Sequence, residues 1–459
     1  MIARQHSRSA LALEASAIPR LPDSKTPRLL FIGEGISLAH VARPAVLGRW
    51  AREAGYDVAF ACGPAYAAVA RAEEFDPITL TTIIPETFHK RMAAGKFFYT
   101  SWELDGYVRA ELEIIDRVQP DLVVGDFRLS LDVSTTLAAV PLLSLTNAHW
   151  SPVAACRFPP PRAGPLGFLP NALRNRLFDA IRFLVLRYFA VPLNLVRRRN
   201  GLQELHDFRE HFCAGNWCAY LDAPDLYPKL RDGGNKILPA GHFFLGPVVW
   251  EPRNQCPLAL EVLGSERPLV YVTLGSSGNT DALPDVLRTL VELDCSIALS
   301  GVDKAQEAAL RRSIPVLEGR CVMAPLFDPR PVLEHARVTV CHGGSGTVYQ
   351  SLAAGVPVLC LPGNPDQALV AAAAEEQGVG RTINPGDTSV DMLRSIRGVL
   401  ATMIYCGRCT RAAREMSKVL ALHDTRRRWL EFLSRFEPRG GLRRNQGRRG
   451  WPIWNGAGR

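Results

Sequence analysis

The chain has 459 residues, 47% hydrophobic and 22% charged, a globular composition long enough for two domains of ordinary size. Its formal net charge is +9, yet the stretch from Pro438 onward holds six arginines and no acidic residue. The body is therefore near neutral, which argues against nucleic acid as the main partner. No apolar run reaches the length of a membrane span.

Residues 1–26 carry Arg4, Arg8 and Arg20 beside an Ala/Leu patch too short for a secretory h-region, and are expected to form a disordered leader. Order is expected from Pro27. Arg28 to Gly33 reads as a buried strand, His40 to Ala54 as a helix, and Tyr56 to Ala61 as the second strand. Further strands are expected near Ile78 to Thr82, from Pro120 to Gly125 and from Pro141 to Leu145, with helices between them. Strands alternating with helices imply a doubly wound parallel sheet, and such sheets bind ligands beyond the carboxyl ends of their strands. His40 and Asp126 both follow strands. A histidine can take a proton from an alcohol while an aspartate fixes its tautomer. Equally, His40 could be an idle residue at a helix start and Asp126 a loop cap.

Asn171 to Leu195 interleaves Arg174, Arg176, Arg182 and Arg187 with Leu, Phe, Ile and Val at roughly helical spacing. Such a helix could pack with a solvated basic face, wall an acceptor pocket, or lie on an anionic membrane. Asn200-Gly201-Leu202 is expected to open another helical segment, and Trp217 to Leu221 to be the last strand of a first domain spanning 27–235. Residues 236–267 form the expected linker and 268–425 the second domain. A terminal helix and a basic disordered tail are expected over 426–459.

In the second domain, Pro268 to Leu274 reads as a strand ending at the small-residue loop Gly275-Ser276-Ser277-Gly278. Ala336 to Val340 is another strand, followed by Cys341-His342-Gly343-Gly344-Ser345-Gly346-Thr347, a helix to Ala354 and a strand over 356–361. Glycines between a strand's carboxyl end and a helix's amino end leave backbone N–H groups open to an anion, aided by the helix dipole. Ser345, Thr347 and His342 add donors. Asp366 and Gln367 follow the next strand; they could take sugar hydroxyls, or Asp366 could simply cap the helix from Ala368. The eleven cysteines are odd in number and scattered, as reduced thiols would be. Cys406-x-x-Cys409 has redox or zinc spacing without a second pair. Cys213 and Cys218, with His211 nearby, make no stronger case, so no metal site is expected.

Cys341 to Gly380 resembles the donor signature of family-1 nucleotide-sugar glycosyltransferases of the GT-B fold. It reads His-Gly-Gly-Ser-Gly-Thr, then Gly-Val-Pro, then Pro-x-x-x-Asp-Gln, then Gly-x-Gly. Ala39-His40-Val41, Pro120 to Asp126 and Tyr271 to Ser276 match the family's other landmarks, so the likeness covers roughly residues 27–425. The resemblance implies two Rossmann-like domains with parallel sheets facing a cleft. It implies His40 as base, Asp126 as its partner, and His342, Ser276, Gly344, Ser345, Gly346 and Thr347 around the diphosphate. Asp366 and Gln367 would hold the sugar. Gln350 stands where many members carry a ribose-binding Glu. The family's base-stacking Trp is missing from 322–326, where Leu326 is the candidate contact. The expected reaction is inverting, metal- and cofactor-free transfer of a hexose from a UDP-type sugar to a hydrophobic acceptor. The expected setting is cytoplasmic, with membrane contact through residues 171–199. A non-catalytic homologue acting as activator, or a nucleotide-sugar epimerase, are the alternatives.

Overall fold

The structure, a computed structural model, describes residues 26–160, 169–231, 238–251, 266–275, 278, 280–326, 328–383 and 389–436. Ser276, nearly all of the expected leader and the basic tail lie outside the described residues.

The first sheet has seven strands in the order β3-β2-β1-β4-β5-β6-β7, every pairing parallel. They are β1 (Arg28–Gly33), β2 (Asp57–Cys62), β3 (Ile78–Thr79), β4 (Leu122–Asp126), β5 (Leu142–Thr146), β6 (Trp217–Tyr220) and β7 (His242–Phe244). Helices cover both faces, so the central strands are apolar throughout instead of alternating. In β1, Leu29 and Phe31 enter the core on one face while Leu30 and Ile32 enter that on the other.

The second sheet has six strands in the order β10-β9-β8-β11-β12-β13, also parallel. They are β8 (Leu269–Thr273), β9 (Ser296–Ser300), β10 (Cys321–Ala324), β11 (Ala336–Cys341), β12 (Val358–Cys360) and β13 (Gly380–Thr382). The two sheets are the two Rossmann-like halves of a GT-B architecture.

Two expectations need correction. β6 is not the last strand of the first sheet: β7 pairs beside it from within the expected linker, Cys218 opposite His242. That short strand carries too little apolar sequence to stand out among prolines and glycines. No helix starts at Asn200; the next one is Phe208–Phe212, opened by an Asp207/Glu210 capping box. After residue 388 come three helices, Ser389–Tyr405, Arg408–Ala421 and Thr425–Ser434, the first break falling at Gly407 with φ +66°. The last of them crosses back to the first domain. Trp429 is wholly buried there, donates from Nε1 to the Leu47 carbonyl at 2.9 Å, and meets Phe31 edge-on.

Candidate active site

A cleft of about 560 Å³ opens between the carboxyl ends of the two sheets. Its walls include His40, Phe127 and Trp150 and, from the second domain, Gly275, Leu326, His342, Gly344 to Thr347, Gln350, Asp366 and Gln367. All the expected site residues that are described line it except Asp126, which lies directly behind His40.

His40 sits in the first turn of the helix Leu38–Glu53, and Asp126 ends β4, fully buried. Their side chains meet at 2.7 Å, His40 Nδ1 to Asp126 Oδ1. A carboxylate only accepts, so Nδ1 carries the proton and Nε2 is left as the basic nitrogen. The ring lies against Phe127, centroids 4.6 Å apart. Phe127 adopts φ +57°, a left-handed conformation that costs a non-glycine residue roughly 1–2 kcal/mol. The next residue holds it there: buried Arg128 donates to Glu34 (2.9 Å) and Glu111 (2.6 Å), with its guanidinium 3.7 Å from the Tyr107 ring centre.

Arg43, one helical turn after His40, grips Asp126 with two bonds, Nε to Oδ2 at 2.9 Å and Nη2 to Oδ1 at 2.8 Å. Its remaining amino group donates to Asn147 Oδ1 at 2.7 Å. Asn147 donates in turn to the buried Asp222 carboxylate at 3.1 Å, which also accepts from Ala148 N and, at 2.9 Å, from the Tyr349 hydroxyl. Tyr349 belongs to the second domain. A buried polar chain thus runs from His40 to the helix that carries the glycine-rich turn.

That helix is Ser345–Ala353. Gly344 is its N-cap, and no side chain caps it, so its first N–H groups are open toward the cleft. Gly344 and Gly275 also make room for His342. A Cβ on Gly344 would stand 2.3 Å from His342 Nε2, and one on Gly275 2.4 Å from Cε1. Burial pushes the His342 pKa down to about 4, against the pull of Asp366, so the ring is neutral at pH 7 and offers one N–H. Gln350 donates to the Trp250 carbonyl at 3.3 Å.

Asp366 does not cap its helix. Asn364 does, accepting from Gln367 N at 3.0 Å. Asp366 Oδ1 instead accepts from His149 Nε2 and Trp150 Nε1 of the first domain, both at 2.8 Å. Burial opposes ionisation, but these two bonds and the nearby His149 outweigh it and hold the carboxyl well below its ordinary range. The Asp366 side chain remains 43% exposed, on the cleft. Gln367 is buried, its Oε1 accepting from Gly363 N at 2.8 Å.

Sequence reasoning passed over Arg43, Asn147, His149, Trp150, Asp222 and Tyr349. The signal was available for Asn147 to Trp150, which directly follow a strand. It also passed over the cleft's aromatic wall, where Phe88, Phe98 and Phe212 join Phe127 and Trp150. Of the cysteine sets, Cys213 and Cys218 meet His242, not His211, with donor atoms within 4.8 Å. His242 Nδ1 already shares a 2.7 Å bond with the Tyr220 hydroxyl, and burial holds the Cys218 thiol well above its ordinary pKa, so the set reads as core packing.

Comparison with known proteins bears on the class of the chain. Residues 284–419 match the family described as the C-terminal domain of erythromycin biosynthesis protein CIII-like proteins. A "PGL/p-HBAD biosynthesis rhamnosyltransferase" of Mycobacterium bovis is 37% identical over 383 residues, 81% of this chain and 80% of that protein. A "PGL/p-HBAD biosynthesis glycosyltransferase" of Mycobacterium tuberculosis is 36% identical over 360 residues, covering 78% and 81%. The solved glycotransferase of kitacinnamycin superposes with a TM-score of 0.65 at 17% identity, over 90% of this chain and all of that one, which speaks to the fold.

The protein is a glycosyltransferase of the GT-B class. It belongs to the family-1-like glycosyltransferases that include these mycobacterial relatives.

Proposed function

We propose that the enzyme moves a hexose from a nucleoside-diphosphate sugar, UDP-linked in the first instance, to a hydroxyl of a hydrophobic small-molecule or lipid acceptor. The transfer inverts the anomeric centre and needs no metal. The observation that carries this reading is the placement of His40 in the same cleft as the uncapped N-terminus of the helix Ser345–Ala353.

In this mechanism His40 Nε2 takes the acceptor's hydroxyl proton while Nδ1–H stays on Asp126. The oxygen attacks the anomeric carbon from the face opposite the nucleotide. The bond to the diphosphate breaks with its electron pair on the leaving oxygen. The open helix N–H groups, the hydroxyls of Ser345 and Thr347 and the neutral His342 ring stabilise that charge. Asp366, with one oxygen committed to His149 and Trp150, presents the other to a sugar hydroxyl, beside the Gln367 amide. Gln350 and Leu326 border the ribose and base. The aromatic wall takes an apolar acceptor. The rhamnosyltransferase relative adds a deoxyhexose to the sugars worth testing. The same reading keeps the enzyme cytoplasmic, in contact with a membrane through residues 171–199.

A thermal-shift screen over UDP, dTDP and GDP and their sugars tests the donor half. One nucleotide diphosphate should raise the melting temperature, and its sugar should release that diphosphate only when an acceptor is present. Turnover of the donor alone would favour an epimerase. Failure of every nucleotide to bind would favour a non-catalytic partner.

A further inference from the structure

The helix Asn171–Arg199 is apolar on two faces. Inward, Phe178, Leu186, Ala190 and Leu193 are buried, and Phe189 stacks on Phe98, a cleft residue, at 4.8 Å. Outward, Leu173, Leu177, Ile181, Leu184, Tyr188 and Val191 are each 38–54% exposed. Their spacing of i, i+4, i+8, i+11, i+15 and i+18 draws one straight stripe, about 27 Å long at 1.5 Å per residue. Phe183 lies beside it, 65% exposed. Seven of the fourteen exposed large hydrophobic side chains among the described residues sit on this one helix, so the patch is not scattered surface apolarity.

Its charge is one-sided. The helix holds seven arginines and one acidic residue, Asp179. Arg197, Arg198 and Arg199 pair with Asp132, Glu204 and Asp105, and Arg182 bonds the Cys156 carbonyl. Arg176 and Arg187 are exposed and have no hydrogen-bond or ion-pair partner among the described residues. At 100° per residue both fall along one edge of the stripe.

We propose that this outward face lies flat on an anionic phospholipid surface. The stripe sits at the headgroup–acyl boundary, and Arg176 and Arg187 contact lipid phosphates. No described helix is long and apolar enough to cross a membrane, so this one rests on it. Unpaired cations bordering an exposed apolar stripe fit that partner, because each cation gains an anion as the stripe is buried. The proposal deepens the acceptor reading above and rests on it for one step: the inward face reaches the cleft at Phe98, so a lipid-borne acceptor has a short route from the bilayer.

Sedimentation with vesicles tests it. The full chain should pellet with phosphatidylcholine/phosphatidylglycerol vesicles at low salt, much less with phosphatidylcholine alone, and high salt should release it. Arg176→Gln/Arg187→Gln should weaken binding by about fivefold per arginine. Leu177→Glu/Leu184→Glu should abolish it, with an unchanged melting temperature showing that the variant folds; if it does not fold, the arginine pair carries the test. Both variants should keep transfer to a short soluble acceptor and lose transfer to a vesicle-borne one. No binding by the unaltered chain, or equal binding by the arginine variant, overturns the proposal. So does a dimer in light scattering that Leu177→Glu/Leu184→Glu makes monomeric. Vesicle binding without transfer to either acceptor would leave the membrane face standing and sink the transferase reading instead.

Discussion

His40 and Arg43 stand one turn apart on one helix, and Asp126 holds both. The dyad was legible because each member follows a strand at the ligand-binding edge of a parallel sheet. Arg43 was not, because an arginine on a helix ordinarily faces water. What reverses that expectation is the complete burial of Asp126, whose oxygens must find hydrogen-bond donors inside the fold. His40→Ala should lower kcat by about 10²–10⁴-fold while calorimetric donor affinity holds. Arg43→Met should lower kcat on the order of 10²-fold through a misplaced Asp126, with donor KM little changed, which a kcat-against-KM comparison would show. His149→Phe removes one of the two bonds that fix Asp366. It should raise donor KM by about tenfold, measured with saturating acceptor, since a hydrogen bond to a charged group contributes about 1.5–3 kcal/mol.

At the scale of elements, the turn before Ser345–Ala353 was legible in full. Small residues there had a reason, and the reason proves sharper than backbone freedom alone. A methyl on Gly344 would collide with His342, so Gly344→Ala should abolish donor binding in calorimetry. The C-terminal helix was expected, but its destination was not, because period and composition say which face is apolar and not what that face meets. Trp429→Ala should cost about 3–5 kcal/mol in denaturant unfolding of the first domain, although the residue lies at the far end of the chain. The short helix Phe208–Phe212 adds a pH term. Burial pushes His211 down to about 3 from an ordinary 6.5, so the unfolded chain binds its proton first as pH falls. The stability it contributes is complete above pH 6.5 and drains away between 6.5 and 3. Replacing it with leucine should therefore shrink the loss of unfolding free energy between pH 7.5 and pH 5 by about 2 kcal/mol.

For the whole molecule, the two domains share buried polar contacts and not only a cleft. Tyr349 bonds Asp222 across the interface, and Asp366 takes His149 and Trp150 from the other side. Neither link could be read from the chain, since sequence distances of 127, 217 and 216 residues carry no local signal. The alternation of strands and helices did suffice for the two parallel sheets, while the cleft they face was implied by the family resemblance.

The most direct measurement is release of nucleoside diphosphate by the unaltered enzyme and by His40→Ala, with donor and acceptor both saturating. The account predicts acceptor-dependent release in the first and its loss in the second, with donor still bound by both. Full release by His40→Ala would contradict it.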